Sequence, residues 1–381
     1  MQKFGASTNF DDYIFLNRWA LTFLGMWTID NRFDHGVAKI LHRLHITFLF
    51  VLMLLLIIPQ WLDLYIFWGN INANAETVVL NVFTITAILK LLCCILTANV
   101  FNDVLMSLKS DWNETMDTSN PAKEKHREIL LKMASSAFNY TKQYAFIMYV
   151  TALLYFISPF VGMQPGDLRI RKYPFFGWYH FDRFSNLNYG ICYVSQVMSG
   201  TVVGTTNFAM DSIFLVSLYH HSAQLQILQH DLAELVSAGC NSANVINNLI
   251  KKHQKYIRIS QMLQVIFNGS SLQQLLISCV IICVIGLKLI IALEDGGYES
   301  LIYIMFMGLA LLQILLYCQS GDVLISESLQ VGYATYQSPW TSVNLSSIRS
   351  ISLMILRSQK PLTISAGKIY VLSLQNFTMV T

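Results

Sequence analysis

Two adjacent imidazoles, His220 and His221, and a lysine set in an apolar run, Lys90, are the side chains of this 381-residue chain whose types could do chemistry. Neighbouring residues on a helix point about 100° apart, and no further ligand accompanies the histidine pair, so no metal site is expected there. The chain has no Gly-x-Ser-x-Gly, no His-Glu-x-x-His, no phosphate loop and no Cys-x-x-Cys, the patterns that would supply a nucleophile, a zinc site, a phosphate cradle or a redox pair. It is therefore read as a non-enzyme, with no catalytic residue and no cofactor. What remains is recognition. Tyr140, Tyr144, Met148, Thr151 and Tyr155 recur at three- and four-residue steps, as do Tyr189, Tyr193, Gln196, Gly200, Gly204 and Asn207. Such stripes suit plain helix packing, and they equally suit the wall of an apolar cavity carrying a few polar groups. Gly200 and Gly204 have the spacing that lets helix backbones approach closely. Lys90 reads either as a functional charge, since burying one in a membrane is costly, or as a side chain snorkelling to the surface.

The elements that must position these residues follow from composition. The chain is 54% apolar and 12% charged, with a mean hydropathy of +0.47, where soluble domains carry roughly 25% charged residues. A net charge of +3 without a basic, aromatic-interleaved cluster excludes nucleic acid as a partner. The partner implied is the lipid bilayer. A crossing needs roughly 20 helical residues, and six such stretches stand out at 44–62, 76–101, 143–163, 187–218, 262–293 and 301–318, with a seventh beginning at 362. The fold class expected is an all-α membrane protein of seven transmembrane helices. Six of the seven cysteines lie inside apolar stretches and read as packing thiols.

Basic residues set the orientation. Seventeen Lys and Arg fall before the first span and in the second, fourth and sixth loops, against four (Arg169, Arg171, Lys172 and Arg183) in the third loop. This predicts an inverted topology with the N-terminus inside and the C-terminus outside. The opposite arrangement, that of a G-protein-coupled receptor, is disfavoured further. There is no Asp-Arg-Tyr at the third helix and no Asn-Pro-x-x-Tyr in the seventh. The third loop, 164–186, is rich in rings (Tyr173, Phe175, Phe176, Trp178, Tyr179, Phe181, Phe184). It reads either as a lid over the outer mouth of the bundle or as an interfacial aromatic belt. On the inner side Leu225, Leu228, Leu232 and Leu235 keep helical spacing past the fourth span, and Ile348, Ile351, Ile355 and Leu356 line up after the sixth. Stripes of this kind need partners and predict a cytoplasmic cluster of helices.

The final third is more specific. Arg357-Ser-Gln-Lys-Pro361, Ala366-Gly367-Lys368 and Leu372-Ser-Leu374, together with Gly321, Ser326, Ala334, Tyr336 and Trp340, resemble the C-terminal signature of insect odorant receptors. "QLQILQHDL" and "QLLISCVIIC" resemble that family too. The resemblance implies a ligand-gated, non-selective cation channel subunit that binds small volatile hydrophobic molecules. It also implies a heterotetramer with an odorant co-receptor and a place in the plasma membrane of a sensory neuron dendrite. A metabotropic seven-helix chemoreceptor and a taste-type channel of the same superfamily are the alternatives.

On this reading residues 1–43 form a cytoplasmic segment and 44–218 hold spans one to four with an outer-half ligand pocket. Residues 219–261 are a cytoplasmic helical extension, 262–321 spans five and six, 322–360 cytoplasmic anchor helices, and 361–381 the start of pore helix seven. By the resemblance, the ligand is expected among Phe83, Ala87, Thr151, Tyr155, Tyr193, Val197, Tyr303 and Met307. Ser373, Asn376 and Val380 are expected near the pore, although Ser373 and Asn376 could also hydrogen-bond between packed helices. Lys360-Pro361 should break the helix before it. The 13 residues from Ile369 span about 20 Å as helix, short of the roughly 30 Å bilayer core, so the last helix is expected to be truncated.

Overall fold

The computed structural model describes residues 9–27, 36–68, 71–117, 123–160, 172–179, 185–237, 243–295, 299–338, 340 and 345–380. Two short helices, α1 (Phe10–Tyr13) and α2 (Phe15–Phe23), lead into α3 (Gly36–Ile66) and α4 (Ile71–Leu96). Then come α5 (Ala98–Met116), α6 (Glu124–Ile157), α7 (Asn186–Ser237), α8 (Ala243–Asp295), α9 (Glu299–Gln337) and α10 (Leu345–Ser358). A two-stranded hairpin, β1 (Ser365–Ala366) and β2 (Tyr370–Val371), precedes α11 (Leu374–Val380). Among the described residues six helices, α3, α4, α6, α7, α8 and α9, are long and apolar enough to cross a membrane.

Helix α7 is the axis. The most apolar stretch of α7 is 89% buried, against 22% for α8, because α9, α6, α3, α8 and α4 all pack around it. A helix enclosed on every side has no reason to segregate its apolar residues. The outer helices do segregate theirs. On α3, Leu44, Phe48, Val51, Leu55, Ile58 and Leu62 are exposed, while Leu49, Leu52, Met53 and Leu56 face the bundle; exposed leucines in a span are what a lipid solvent rewards. At 52 and 53 residues, α7 and α8 are each about 80 Å long. Both therefore continue well past a 30 Å core. Leu225, Leu228 and Leu232 are buried in that continuation, where the stripe read from sequence finds its partners.

Three expectations need correction. The second apolar stretch does not run unbroken to Phe101: Thr97, whose hydroxyl donates to the Cys93 carbonyl at 2.8 Å, ends α4, and α5 starts at Ala98. On α10 the buried face is Ser347, Ile351, Met354 and Ser358, a one-sided stripe at helical spacing, and Leu356 stays exposed. Residues 362–373 are not helical. Gly367 and Lys368 sit at φ 62° and 61°, the left-handed pair that a tight hairpin turn demands. The turn is held to α8: the Gln264 side chain receives the Ser365 amide at 2.7 Å, and Asn268 Oδ1 receives the Lys368 amide at 3.0 Å. The last helix therefore begins at Leu374.

Candidate functional site

A cavity of about 60 Å³ lies between α3, α4, α6, α7 and α9. Its wall is aromatic and aliphatic: Leu56, Leu80, Phe83, Met148, Tyr155, Phe156, Phe175, Val203, Phe306 and Leu309 surround Gln60, Thr84 and Thr151. The two threonine hydroxyls donate to carbonyls of their own helices, Leu80 and Ile147. Phe175 roofs the space. Its ring stacks on Tyr155 with centroids 5.4 Å apart and meets Phe156 edge-on at 6.0 Å.

The roof is anchored rather than draped. Gln196 on α7 accepts the Phe175 N–H at 2.9 Å and donates to the Phe175 carbonyl at 3.0 Å and the Tyr179 hydroxyl at 2.8 Å. The Trp178 N–H donates to the Pro59 carbonyl on α3 at 2.9 Å, and Gly177 permits that approach, since a Cβ there would lie 3.1 Å from Pro59. Tyr173 stacks on Tyr189 at 5.2 Å. Gly200 also serves the roof: a Cβ would sit 2.7 Å from the Phe175 ring. Gly200 thus makes room for a loop side chain, and the same Cβ would lie 3.1 Å from Phe156 on α6, the helix-to-helix approach the sequence suggested. Of the two readings of this loop, the described part, residues 172–179, takes the lid. Phe181 and Phe184 lie outside the described residues.

One to two turns inward from the cavity wall is a wholly buried polar node. Lys90 on α4 donates to Asp211 on α7 at 2.5 Å and to Gln274 on α8 at 2.6 Å. Asp211 also receives the hydroxyls of Tyr144 (2.8 Å) and Tyr317 (2.7 Å), and Gln313 ties Tyr144 to Gln274. Lys90 is fully buried, so it does not snorkel. Carboxylate, ammonium, amide and phenol from five helices satisfy one another, as they must where no water can.

Helix α9 joins this node to the C-terminal hairpin. Gly321 lies against the Leu372 carbonyl oxygen, which a Cβ would overlap. Asp322 accepts the Leu374 N–H at 3.3 Å, and Ser328 accepts that of Leu362 at 2.9 Å.

Three of the eight residues expected around a ligand, Phe83, Thr151 and Tyr155, line the cavity. The other five do not, and each has a local reason. Ala87 is buried one turn inward of Phe83. Tyr193 donates its hydroxyl to the Phe156 carbonyl at 2.6 Å, outside the wall, and Val197 lies half-buried beyond the lining. Tyr303 and Met307 pack in a second apolar cluster with Val79, Ile281 and Ile285, while Phe306 and Leu309 take the cavity face of α9. The resemblance pointed to one half of the bundle without fixing which face of each helix meets the cavity. Ser373 accepts the Asn376 N–H at 3.2 Å, and the Asn376 side chain donates to the Val371 carbonyl at 2.8 Å, so both begin and clip α11. The side chain of Val380 lies outside the described residues.

Two polar groups were missed. Gln60, a lone amide beside a proline in the first apolar run, was the legible signal. The other, His126 with His230 and Asp231, brings metal-ligand types within 4.8 Å; His126 Nε2 is 2.8 Å from one Asp231 oxygen, and Lys252 Nζ forms an ion pair with the other at 2.9 Å. His220 and His221 part to different neighbours, Trp112 and Tyr256.

Together the six spans, the lidded apolar cavity and the buried node define a multi-pass helical membrane protein with a small apolar space among its helices. The profile described as 7tm Odorant receptor matches residues 70–381, and the chain belongs to that family, one of receptors and not of enzymes. It is 27% identical over 250 residues to Odorant receptor 13a of Drosophila melanogaster, and 27% over 234 residues to Odorant receptor 82a of the same fly. Each match spans 60% of this chain and 60% of the relative's length. In fold it is similar to the insect olfactory receptor OR5 from Machilis hrabei, with a TM-score of 0.79 at 14% identity over 97% of this chain and 96% of that one. The same receptor in complex with eugenol gives 0.80.

Proposed function

We propose that this chain is the odorant-binding subunit of a ligand-gated cation channel, seated in the plasma membrane of a sensory neuron dendrite with its N-terminus in the cytosol. It pairs there with a co-receptor, as the family resemblance implies. The observation that carries the reading is the lidded cavity. At about 60 Å³ it is smaller than the roughly 150 Å³ that admits benzene in an engineered protein. A ring-sized ligand is therefore accommodated only if the walls give, and it then favours whichever state has the wider cavity. Met148, unbranched and adaptable, and the Phe175 roof are the parts that yield. A receptor of the same fold has been solved with eugenol, a molecule of that size class.

Widening is transmitted along α9. Phe306 and Leu309 touch the ligand space, Gln313 and Tyr317 enter the polar node, and Gly321 and Asp322 hold the hairpin that starts α11. Ser373, Asn376 and Val380 lie in or beside that last element and come near the pore when subunits assemble.

The test is current evoked by a broad volatile panel in cells expressing this chain with a co-receptor while G-protein signalling is blocked. Responses that persist under the block support the channel. Responses that vanish under it return the metabotropic alternative. A tag on the N-terminus, reachable by antibody only after permeabilisation, checks the orientation.

A further inference from the structure

Gln60 is 1% exposed, lines the cavity, and has neither its amide nitrogen nor its amide oxygen in a hydrogen bond. Buried polar groups are paired in the great majority of cases, and an exception calls for a reason. Of the other polar groups of the wall, two have their protons engaged and the third is the Tyr155 hydroxyl. Thr84 and Thr151 have given their protons to main-chain carbonyls, and Gln196 behind the roof is saturated by Phe175 and Tyr179. Gln60 thus presents two N–H donors and one acceptor to a mostly apolar space. Pro59 beside it is fixed by the lid through its carbonyl, which sets this turn of α3 against the cavity.

We infer that the cavity takes a small, mostly apolar molecule bearing one hydroxyl group, an alcohol or a phenol, whose oxygen accepts from Gln60 Nε2 or whose proton goes to Gln60 Oε1. This rests on the cavity being the odorant site. A hydroxyl can pair with either end of the amide. A carbonyl or ether oxygen meets only the donor, and a hydrocarbon meets neither and leaves the desolvated amide unpaired. A carboxylate or ammonium is rejected, because no charged residue lines the wall and an unpaired charge is far costlier to bury than a neutral hydroxyl.

The experiment uses the full chain in lipid nanodiscs and reads thermal unfolding with matched pairs of probes: cyclohexanol against methylcyclohexane, and p-cresol against p-xylene. Wild type is expected to bind each hydroxyl compound roughly tenfold to a hundredfold more tightly than its hydrocarbon partner. In Gln60→Leu, close to glutamine in volume, that preference falls to near unity while the hydrocarbon binds as well or better. Without any ligand, Gln60→Leu should melt above wild type, because it removes an unpaired buried amide. An unchanged hydroxyl preference in Gln60→Leu overturns the inference but leaves the cavity as the ligand site. A lower melting point without ligand also overturns it, since Gln60 would then have a protein partner. If no probe of either class shifts wild type or variant, the cavity reading fails and the inference with it.

Discussion

The cavity and the polar node lie one to two helical turns apart and share α4, α6, α7 and α9, yet they are built on opposite principles. In the cavity the side chains are apolar, the packing is incomplete and one amide goes unpaired. In the node every charge and phenol has found a partner from another helix. The difference separates what must move from what must not. A wall of Met148, Phe175 and Leu309 can yield because dispersion contacts are individually weak and non-directional. The Lys90–Asp211 pair cannot, because parting it leaves a charge in a medium that does not solvate it.

Breaking the node should have the largest effect. Lys90→Met or Asp211→Asn alone is expected to cost about 3–5 kcal/mol by stranding the partner charge, and the double variant Lys90→Met/Asp211→Leu to recover most of it. Unfolding midpoints of the three proteins check this, and equal losses in single and double variants would remove the node from the account. Next come two glycines. Gly321→Ala drives a methyl into the Leu372 backbone and Gly200→Ala drives one into the Phe175 ring, with overpacking costing about 1–3 kcal/mol. A backbone carbonyl yields less than a ring, so Gly321→Ala is the worse. Hydrogen exchange should rise at residues 365–378 in the first and at 172–179 in the second. If the profiles coincide, cavity and hairpin are one cooperative unit.

Met148→Ala is subtler. It widens the cavity and should shift preference towards bulkier ligands by about 1–3 kcal/mol per added methylene, with the node undisturbed. The smallest effect is expected from Ser373→Ala, which removes the hydroxyl that starts α11 and costs about 1 kcal/mol. Faster exchange confined to 374–378 is the signature.

How much of this could be read from the letters varies with the physics involved. Long apolar runs announce spans because a bilayer tolerates nothing else, and six of them appear in the structure close to where hydropathy puts them. The stripe on α6 was legible, and Met148, Thr151 and Tyr155 do face the cavity. On α9 the family resemblance pointed to Tyr303 and Met307, where Phe306 and Leu309 line it. An apolar helix that is buried on several sides carries no mark of which face meets which neighbour. The hairpin at 365–371 was illegible for another reason: its turn is fixed by Gln264 and Asn268, a hundred residues earlier in the chain.

Composition and charge alone determined a polytopic helical protein, a basic side and an apolar interior, since transfer free energies add along a chain whatever its fold. The C-terminal signature added the family by resemblance. Only the tertiary structure decided that Lys90 is paired within the bundle, that Gly200 makes room for a roof, and that Gln60 faces an empty space with nothing to bond. Those facts depend on which side chains from distant segments meet, and desolvation acts on such meetings rather than on residue types.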